Sequence, residues 1–291
     1  MRLALLLVLF PLTLSAQTFP SLDKAIELTK TRALRSSNVN WPTVESESHS
    51  IALAQGEDAA IRYVLKALGD HHTFYNHSVP IAESRGQSSG IPVLAINSWS
   101  GAPQAAQTAA QTVRSALLDA ASNTKCGIIL DFTQNPGGNM WPMVNGLIPL
   151  FTNGLLGGFR DSAGKLSPIE KKDGLIYSDG KIVGLGSLGP AKDLSFKAIA
   201  IIVGPYTSSS GEITTIMFKG QPNVRFFGQP TSGYSTGNQT LSLPNGGTLI
   251  LTTSITVDRT GASYSEAISP DQMTDKPYAD AATWVNAQCR K

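Results

Sequence analysis

Ala198-Ile199-Ala200-Ile201-Ile202-Val203-Gly204-Pro205-Tyr206-Thr207-Ser208-Ser209-Ser210-Gly211-Glu212 is the stretch around which the chain is organised. Its first six residues are apolar without interruption, the signature of a strand buried on both faces. Gly204-Pro205 breaks the run. A helical pattern then extends from Ile213 to Phe218. Strand, tight turn and helix follow one another, with Thr207 and three serines in the turn. A serine in such a turn projects its Oγ at a helix N-terminus, where free backbone N–H groups and the helix dipole favour developing negative charge. Strand–turn–helix junctions of this kind carry nucleophilic serines. Ser and Thr also cap ordinary helices, so the turn alone leaves both readings open.

The 291 residues suffice for one large or two modest domains. Net charge is +2 and no basic cluster is present, which argues against a nucleic-acid partner. Gly (27) and Pro (17) are plentiful and aromatics few, pointing to a loop-rich α/β chain and away from a helical bundle. Residues 1–16 read as a signal peptide: Met1-Arg2, an apolar run from Leu3 to Leu14, then Ser15-Ala16, with cleavage expected before Gln17. The run is short for a membrane span. Export to a bacterial periplasm or beyond is expected, with no stable membrane insertion after cleavage. Cys126 and Cys289 suit that compartment as a disulfide. Two unpaired thiols are the alternative.

Residues 17–80 read as an N-terminal helical subdomain, from the helix-spaced Leu22, Ala25, Ile26 and Leu28 and from Ile61, Val64, Leu65 and Leu68. It ends in Leu68-Gly69-Asp70-His71-His72-Thr73-Phe74-Tyr75-Asn76-His77, which holds three of the four histidines. His71, His72 and His77 could ligate zinc. The spacing of a zinc protease is absent, and neighbouring histidines on extended chain point apart. No metal or cofactor is therefore expected. A histidine acting as general base is the better functional reading, against loop histidines that cap backbone groups.

Residues 82–91 are polar and Gly/Ser-rich and read as a flexible loop. Pro92–Asn97 is a strand, 103–122 a helix and Cys126–Phe132 a buried strand. The last runs into Asn135-Pro136-Gly137-Gly138-Asn139-Met140-Trp141-Pro142-Met143, a tight turn entering a helix over about Met140 to Leu150. Paired glycines let backbones approach closely and expose N–H donors, as an oxyanion hole requires. Residues 153–195 read as an insertion of short strands whose charges (Glu170, Lys171, Lys172, Asp173) mark a solvated rim. A hairpin is expected over Gln239–Leu243 and Thr248–Thr256, and a final helix over about Asp280 to Cys289.

Four segments together carry a resemblance: Leu68 to Phe74, Asp131 to Met143, Thr207 to Glu212, and Gly228 to Asn238. In order and spacing they resemble the C-terminal processing (tail-specific) serine peptidases, and most closely the nisin-resistance-protein branch. The resemblance covers roughly residues 20–280. It implies an α/β fold: a ClpP/crotonase-like β-β-α spiral core over residues 81–291 with an N-terminal helical subdomain. It also implies peptide-bond hydrolysis by Ser209 with His72 as base. The oxyanion hole would use backbone N–H groups of Ser210 and of Gly137 or Gly138. Asp70, Glu212, Tyr234 and Asn238 are candidates for supporting roles.

The sequence departs from the family's pattern at two positions, of which the first bears on the chemistry. Tyr234 stands where the lysine-dependent branch has its general base, and a phenol of pKa about 10 is a poor base at neutral pH. That leaves the Ser209–His72 pair. Thr133 replaces the usual Arg after the strand aspartate, which removes an expected ion pair. The stretch from His77 to Pro92 is too short for a PDZ domain. The implied protein is a monomeric exported peptidase acting on peptides or proteins, near their C-termini. The competing class is a catalytically silent peptide- or lipid-binding protein on the same fold; a zinc hydrolase is a third.

Overall fold

The computed structural model describes residues 18–33, 35–69, 80–122, 124, 126–183, 188–242 and 248–291. The chain divides after Ser78 into two compact units. The first contains α1 (Pro20–Arg32), α2 (Trp41–Gln55) and α3 (Glu57–Ala67). Helix-spaced Leu22, Ile26, Val44, Ala52, Ala60, Ile61 and Val64 make its core. Pro20 and Pro42 open α1 and α2, where their missing N–H costs nothing. The Glu57 carboxyl accepts from Ser21 N and Leu22 N, capping the positive end of α1 from a neighbouring helix. The predicted signal peptide and the Asp70–His77 segment lie outside the described residues.

The second unit is built on a mixed, largely parallel sheet. It comprises β1 (Ala82–Ser88), β2 (Ile91–Ile96), β3 (Gly127–Asp131), β8 (Ala198–Val203), β9 (Val224–Gly228) and β13 (Gln272–Met273), in the order β1-β2-β3-β8-β9-β13. Only β1 runs antiparallel, to β2. Both faces of the sheet are covered, which is why its central strands are apolar throughout. Along β8, Ile199, Ile201 and Val203 face a core shared with α4 (Ala106–Ser122), α5 (Met140–Gly146) and α6 (Ser210–Ile216). Ala198, Ala200 and Ile202 face α7 (Pro277–Cys289) on the other side, against Ala281, Ala282 and Val285. The period of two along the strand assigns each residue to its face.

Between β3 and β8 the chain makes β4 (Gly154–Asp161), β5 (Leu166–Lys172), β6 (Leu175–Ser178) and β7 (Lys181–Ile182). With β10 (Thr236–Ser242) and β11 (Thr248–Asp258) they form an antiparallel sheet, ordered β10-β11-β4-β5-β6-β7, with short β12 (Ser263–Tyr264) beside β11. Its Leu156, Ile169 and Ile176 join the main core.

Two expectations are corrected. Residues 82–88 are a strand, closed onto β2 by a two-residue turn in which Ser89 and Gly90 both have positive φ. The segment is polar because it is an edge strand exposed over most of its length. Lys171 is buried and not part of a solvated rim: its Nζ donates to Phe151 O at 2.6 Å and to Asp193 Oδ1 at 2.5 Å. A buried ammonium survives only with such partners.

Cys126 and Cys289 form a disulfide with Cα atoms 5.7 Å apart and a sequence separation of 163. It ties the end of α7 to the residue before β3. Closing so long a loop restricts the unfolded chain strongly. The double variant Cys126→Ser/Cys289→Ser is expected to lose about 2–5 kcal/mol of stability in urea unfolding. An unchanged midpoint would show that the bond contributes nothing.

Candidate active site

The turn after β8 holds Ser209 in a conformation that serine rarely adopts. Its φ is 48° and ψ −121°, immediately before α6. Strain of this kind costs about 1–3 kcal/mol and persists only where the surroundings impose it. The surroundings here are explicit. Thr207 is buried; its hydroxyl donates to Phe132 O at 2.9 Å and accepts from Gly204 N at 3.0 Å. Ser208 N donates to Asn135 O at 2.9 Å. Ser209 N donates to Glu212 Oε2 at 2.8 Å.

Glu212 is fully buried. Besides Ser209 N, it accepts from Tyr234 N at 2.8 Å, Gly233 N at 2.9 Å and Thr231 Oγ1 at 2.5 Å. Thr231 Oγ1 accepts in turn from Ile268 N. One carboxyl thus joins the serine turn to the 231–234 loop. Ser232 adds a second tie, its N–H and Oγ donating to Thr207 O and its Oγ also to Pro205 O.

The Gly-Gly turn comes from the end of β3 and packs directly on Ser209. A Cβ at Gly137 (φ 109°) would lie 2.9 Å from Ser209 Cβ and 3.1 Å from Ser210 N. A Cβ at Gly138 (φ 97°) would lie 2.2 Å from Trp99 O. Only glycine admits this approach. Gly137 N donates to Asn135 Oδ1 at 3.0 Å, which narrows the expected donor pair to Gly138. Among the described residues, neither Gly138 N–H nor Ser210 N–H has an acceptor. Ser210 Oγ donates to Gly138 O at 2.5 Å and holds the two backbones together.

Asn135 was legible only as part of a turn, yet it is the hub of this region. It is fully buried, and its Nδ2 donates to Ile96 O and contacts Met143 Sδ. With the Ser208 and Gly137 contacts it links β2, α5, the glycine turn and the serine turn. The signal available in the sequence is an Asn before Pro-Gly-Gly, a residue that bonds backbone two positions on. Asp131, at the head of the same turn, accepts from Thr133 N and Oγ1 and from Tyr278 OH at 2.7 Å. Burial and the neighbouring Asp131 push the Tyr278 phenol up to about 12, so it remains a donor. Arg85 Nε of β1 lies 3.6 Å from Asp131 Oδ2. A cation from another strand thus stands near the aspartate despite Thr133.

Ser209 opens on a cleft of about 710 Å³. Gly138, Trp141 and Ser210 line it on one side, and Phe159, Asn238 and Ser254 of the antiparallel sheet on the other. Asn238 is exposed on β10, its Oδ1 accepting from Thr252 Oγ1. Tyr234 meets Glu212 through its backbone alone, and its side chain is exposed. His72 and Asp70 lie outside the described residues. No group of His, Cys, Asp and Glu among the described residues is arranged to hold a metal ion. No helix among them is long and apolar enough to cross a membrane.

Comparison with known proteins bears directly on this arrangement. The family model for peptidase family S41 matches residues 90–274. The nisin-resistance protein of Lactococcus lactis subsp. lactis is 32% identical over 243 residues, 79% of this chain and 74% of that protein. A lipoprotein from Streptococcus agalactiae shares the fold with a TM-score of 0.61 at 27% identity, over 94% of this chain and 100% of that one. An S41-type structure from Bacteroides fragilis NCTC 9343 aligns with a TM-score of 0.51 at 15% identity, over 72% of this chain and 53% of its own. The last shows the fold alone. The family match takes in both the glycine turn and the serine turn, and the Lactococcus relative runs along most of both chains. The chain therefore belongs to peptidase family S41.

Proposed function

We propose that this protein is an exported serine peptidase that hydrolyses peptide bonds through Ser209 and His72. The observation that carries the reading is the strained Ser209 at the head of α6, with the Ser210 and Gly138 N–H groups beside it. His72 removes the Ser209 proton as Oγ attacks the substrate carbonyl carbon. The carbonyl oxygen takes up the negative charge and accepts from the two N–H groups. His72 then passes the proton to the leaving amine as the C–N bond breaks. Water, deprotonated by His72, hydrolyses the ester and regenerates Ser209.

Glu212 is a positioning residue in this scheme. Its carboxyl holds Ser209 N and the 231–234 loop. Tyr234 and Asn238 have no part in proton transfer. The substrate is a peptide or protein lying in the 710 Å³ cleft and cut near its C-terminus, and the enzyme works as a monomer. Export is supported by the leader-like residues 1–16 and by the Cys126–Cys289 disulfide, a bond of oxidising compartments. The relatives from Lactococcus and Streptococcus, a nisin-resistance protein and a lipoprotein, support a place at or beyond the cell envelope.

The decisive experiment incubates the purified mature protein with a mixed peptide library that includes nisin, beside Ser209→Ala and His72→Ala, and reads products by mass spectrometry. Cleavage is expected from the parent alone. Binding without cleavage by all three proteins would favour a silent peptide-binding protein and sink the peptidase reading. Gly137→Ala is expected to fold and to lose about 100–1000-fold in kcat, the size of a lost oxyanion donor, because its methyl presses on Ser209 Cβ and Ser210 N. Activity equal to the parent's would show that the glycine turn does not act with the serine turn. Glu212→Gln keeps the volume but cannot accept from all four donors. It is expected to lower the melting temperature and, by displacing Ser209, to cost about 100-fold in kcat. A fall in stability with kcat intact would confine Glu212 to a structural role.

A further inference from the structure

Seven large hydrophobic side chains among the described residues are exposed, and two of them are aromatic: Tyr206, 71% exposed, and Tyr234, 68% exposed. Both stand on the two segments joined around Ser209. Tyr206 lies three residues before it in the turn. Tyr234 N shares Glu212 Oε2 with Ser209 N. The segments are bound to each other directly, through Ser232 N to Thr207 O at 2.9 Å and Ser232 Oγ to Pro205 O at 3.0 Å. The contacts that set the nucleophile therefore also set the backbones carrying the two phenol rings. Neither ring contributes to the fold's core, and neither lines the cleft that contains Ser209.

A second feature adjoins Tyr206. It forms part of the wall of a separate cavity of about 280 Å³, together with Gly204, Pro205, Gly228 and Pro277. This cavity lies beyond the carboxyl ends of β3, β8 and β9, the place where open parallel sheets receive ligands. Its size accommodates a large side chain.

We propose that Tyr206 and Tyr234 are a docking platform for the polypeptide substrate, seating a large apolar or aromatic side chain close to the scissile bond, with the Tyr206 cavity beneath it. The inference rests on the peptidase reading and extends it from the cleft to the surface on which a peptide lies after passing Ser209. Leaving two aromatic rings in water on the segments braced around Ser209 gives no stability to the fold. Covering them with an apolar side chain removes apolar area from water and adds ring contacts with a preferred geometry. Rings held on a braced backbone lose little freedom when they bind.

The test measures binding and cleavage separately. Fluorescence anisotropy reads the Kd of labelled peptides for the Ser209→Ala protein, in which a single Phe or Leu is walked along an otherwise Gly/Ser-rich sequence. The same peptides are measured on Ser209→Ala carrying Tyr206→Ala, Tyr234→Ala or both. Each single change is expected to weaken the best apolar peptide about 3–10-fold and the double change about 10–100-fold, the range of one and two aromatic contacts. Peptides of Gly and Ser alone should change little, and Tyr206→Phe with Tyr234→Phe should bind as the parent does. Melting temperatures should not move, since both side chains are exposed. Equal Kd values with and without the tyrosines, an equal loss for apolar and Gly/Ser peptides, or no binding at all would overturn the platform. Ser209-dependent cleavage that ignores the tyrosines would leave the peptidase reading intact and remove this one. Tyrosine-dependent binding without cleavage would do the reverse.

Discussion

A single buried carboxyl governs the geometry of this site. Glu212 accepts from Ser209 N, Gly233 N, Tyr234 N and Thr231 Oγ1, four donors from two segments about twenty residues apart in sequence. Hydrogen bonds to a charged acceptor contribute about 1.5–3 kcal/mol each, and a buried donor left without one costs about 1–3 kcal/mol. That is enough to offset the strain of a serine at φ 48°. The serine turn and the 231–234 loop consequently stand or fall together. Tyr234 presents a backbone N–H to Glu212 and an exposed phenol to solvent.

The glycine turn is fastened by a different residue. Asn135 reaches Ile96 O at the end of β2, Met143 in α5, Gly137 N, and, through its own carbonyl, Ser208 N. Its side chain spends its donors and acceptor on the scaffold. Among the described residues the Gly138 and Ser210 N–H groups have no acceptor. Outside this ring, Asp131 gathers Thr133, Tyr278 and Arg85, from the turn, α7 and β1. α7 is itself tied back to the start of β3 by the Cys126–Cys289 disulfide. Both turns are thus backed by buried polar contacts whose partners come from distant parts of the chain. Such networks rigidify a site only when every member is satisfied.

Much of the architecture was legible along the chain. Uninterrupted apolar runs identified β2, β3 and β8, because a strand covered on both faces excludes polar side chains at every position. The apolar stripe of α4 and the helix-spaced residues of α1 and α3 were equally plain. The serine turn and the glycine turn announced themselves by residue type, whereas Cys126 and Cys289 left a disulfide and two free thiols both open until the structure paired them. The family resemblance rested on the order of four segments, and the family match now covers three of them. Where the reading failed, the reason is physical. β1 looks like a loop because an edge strand needs no apolar face. Lys171 looks like a surface residue because nothing local reveals that Phe151 O and Asp193 wait for its ammonium.

The sequence by itself therefore determined the buried strands and the amphipathic helices, which turn carries three serines, and which turn carries paired glycines. These properties depend on neighbours in the chain: hydrophobic period, turn chemistry and the absence of a Cβ. Only the tertiary structure decided that Asn135 reaches Ile96 O at the end of β2 and Ser208 N in the serine turn. Only the tertiary structure decided that Glu212 reaches across to the 231–234 loop, and that Arg85 stands near Asp131 where Thr133 brings no charge. Each of these is a contact between residues far apart in sequence. A polar side chain's partner is set by which backbones the packed sheet and helices bring within three ångströms, and no local pattern encodes that.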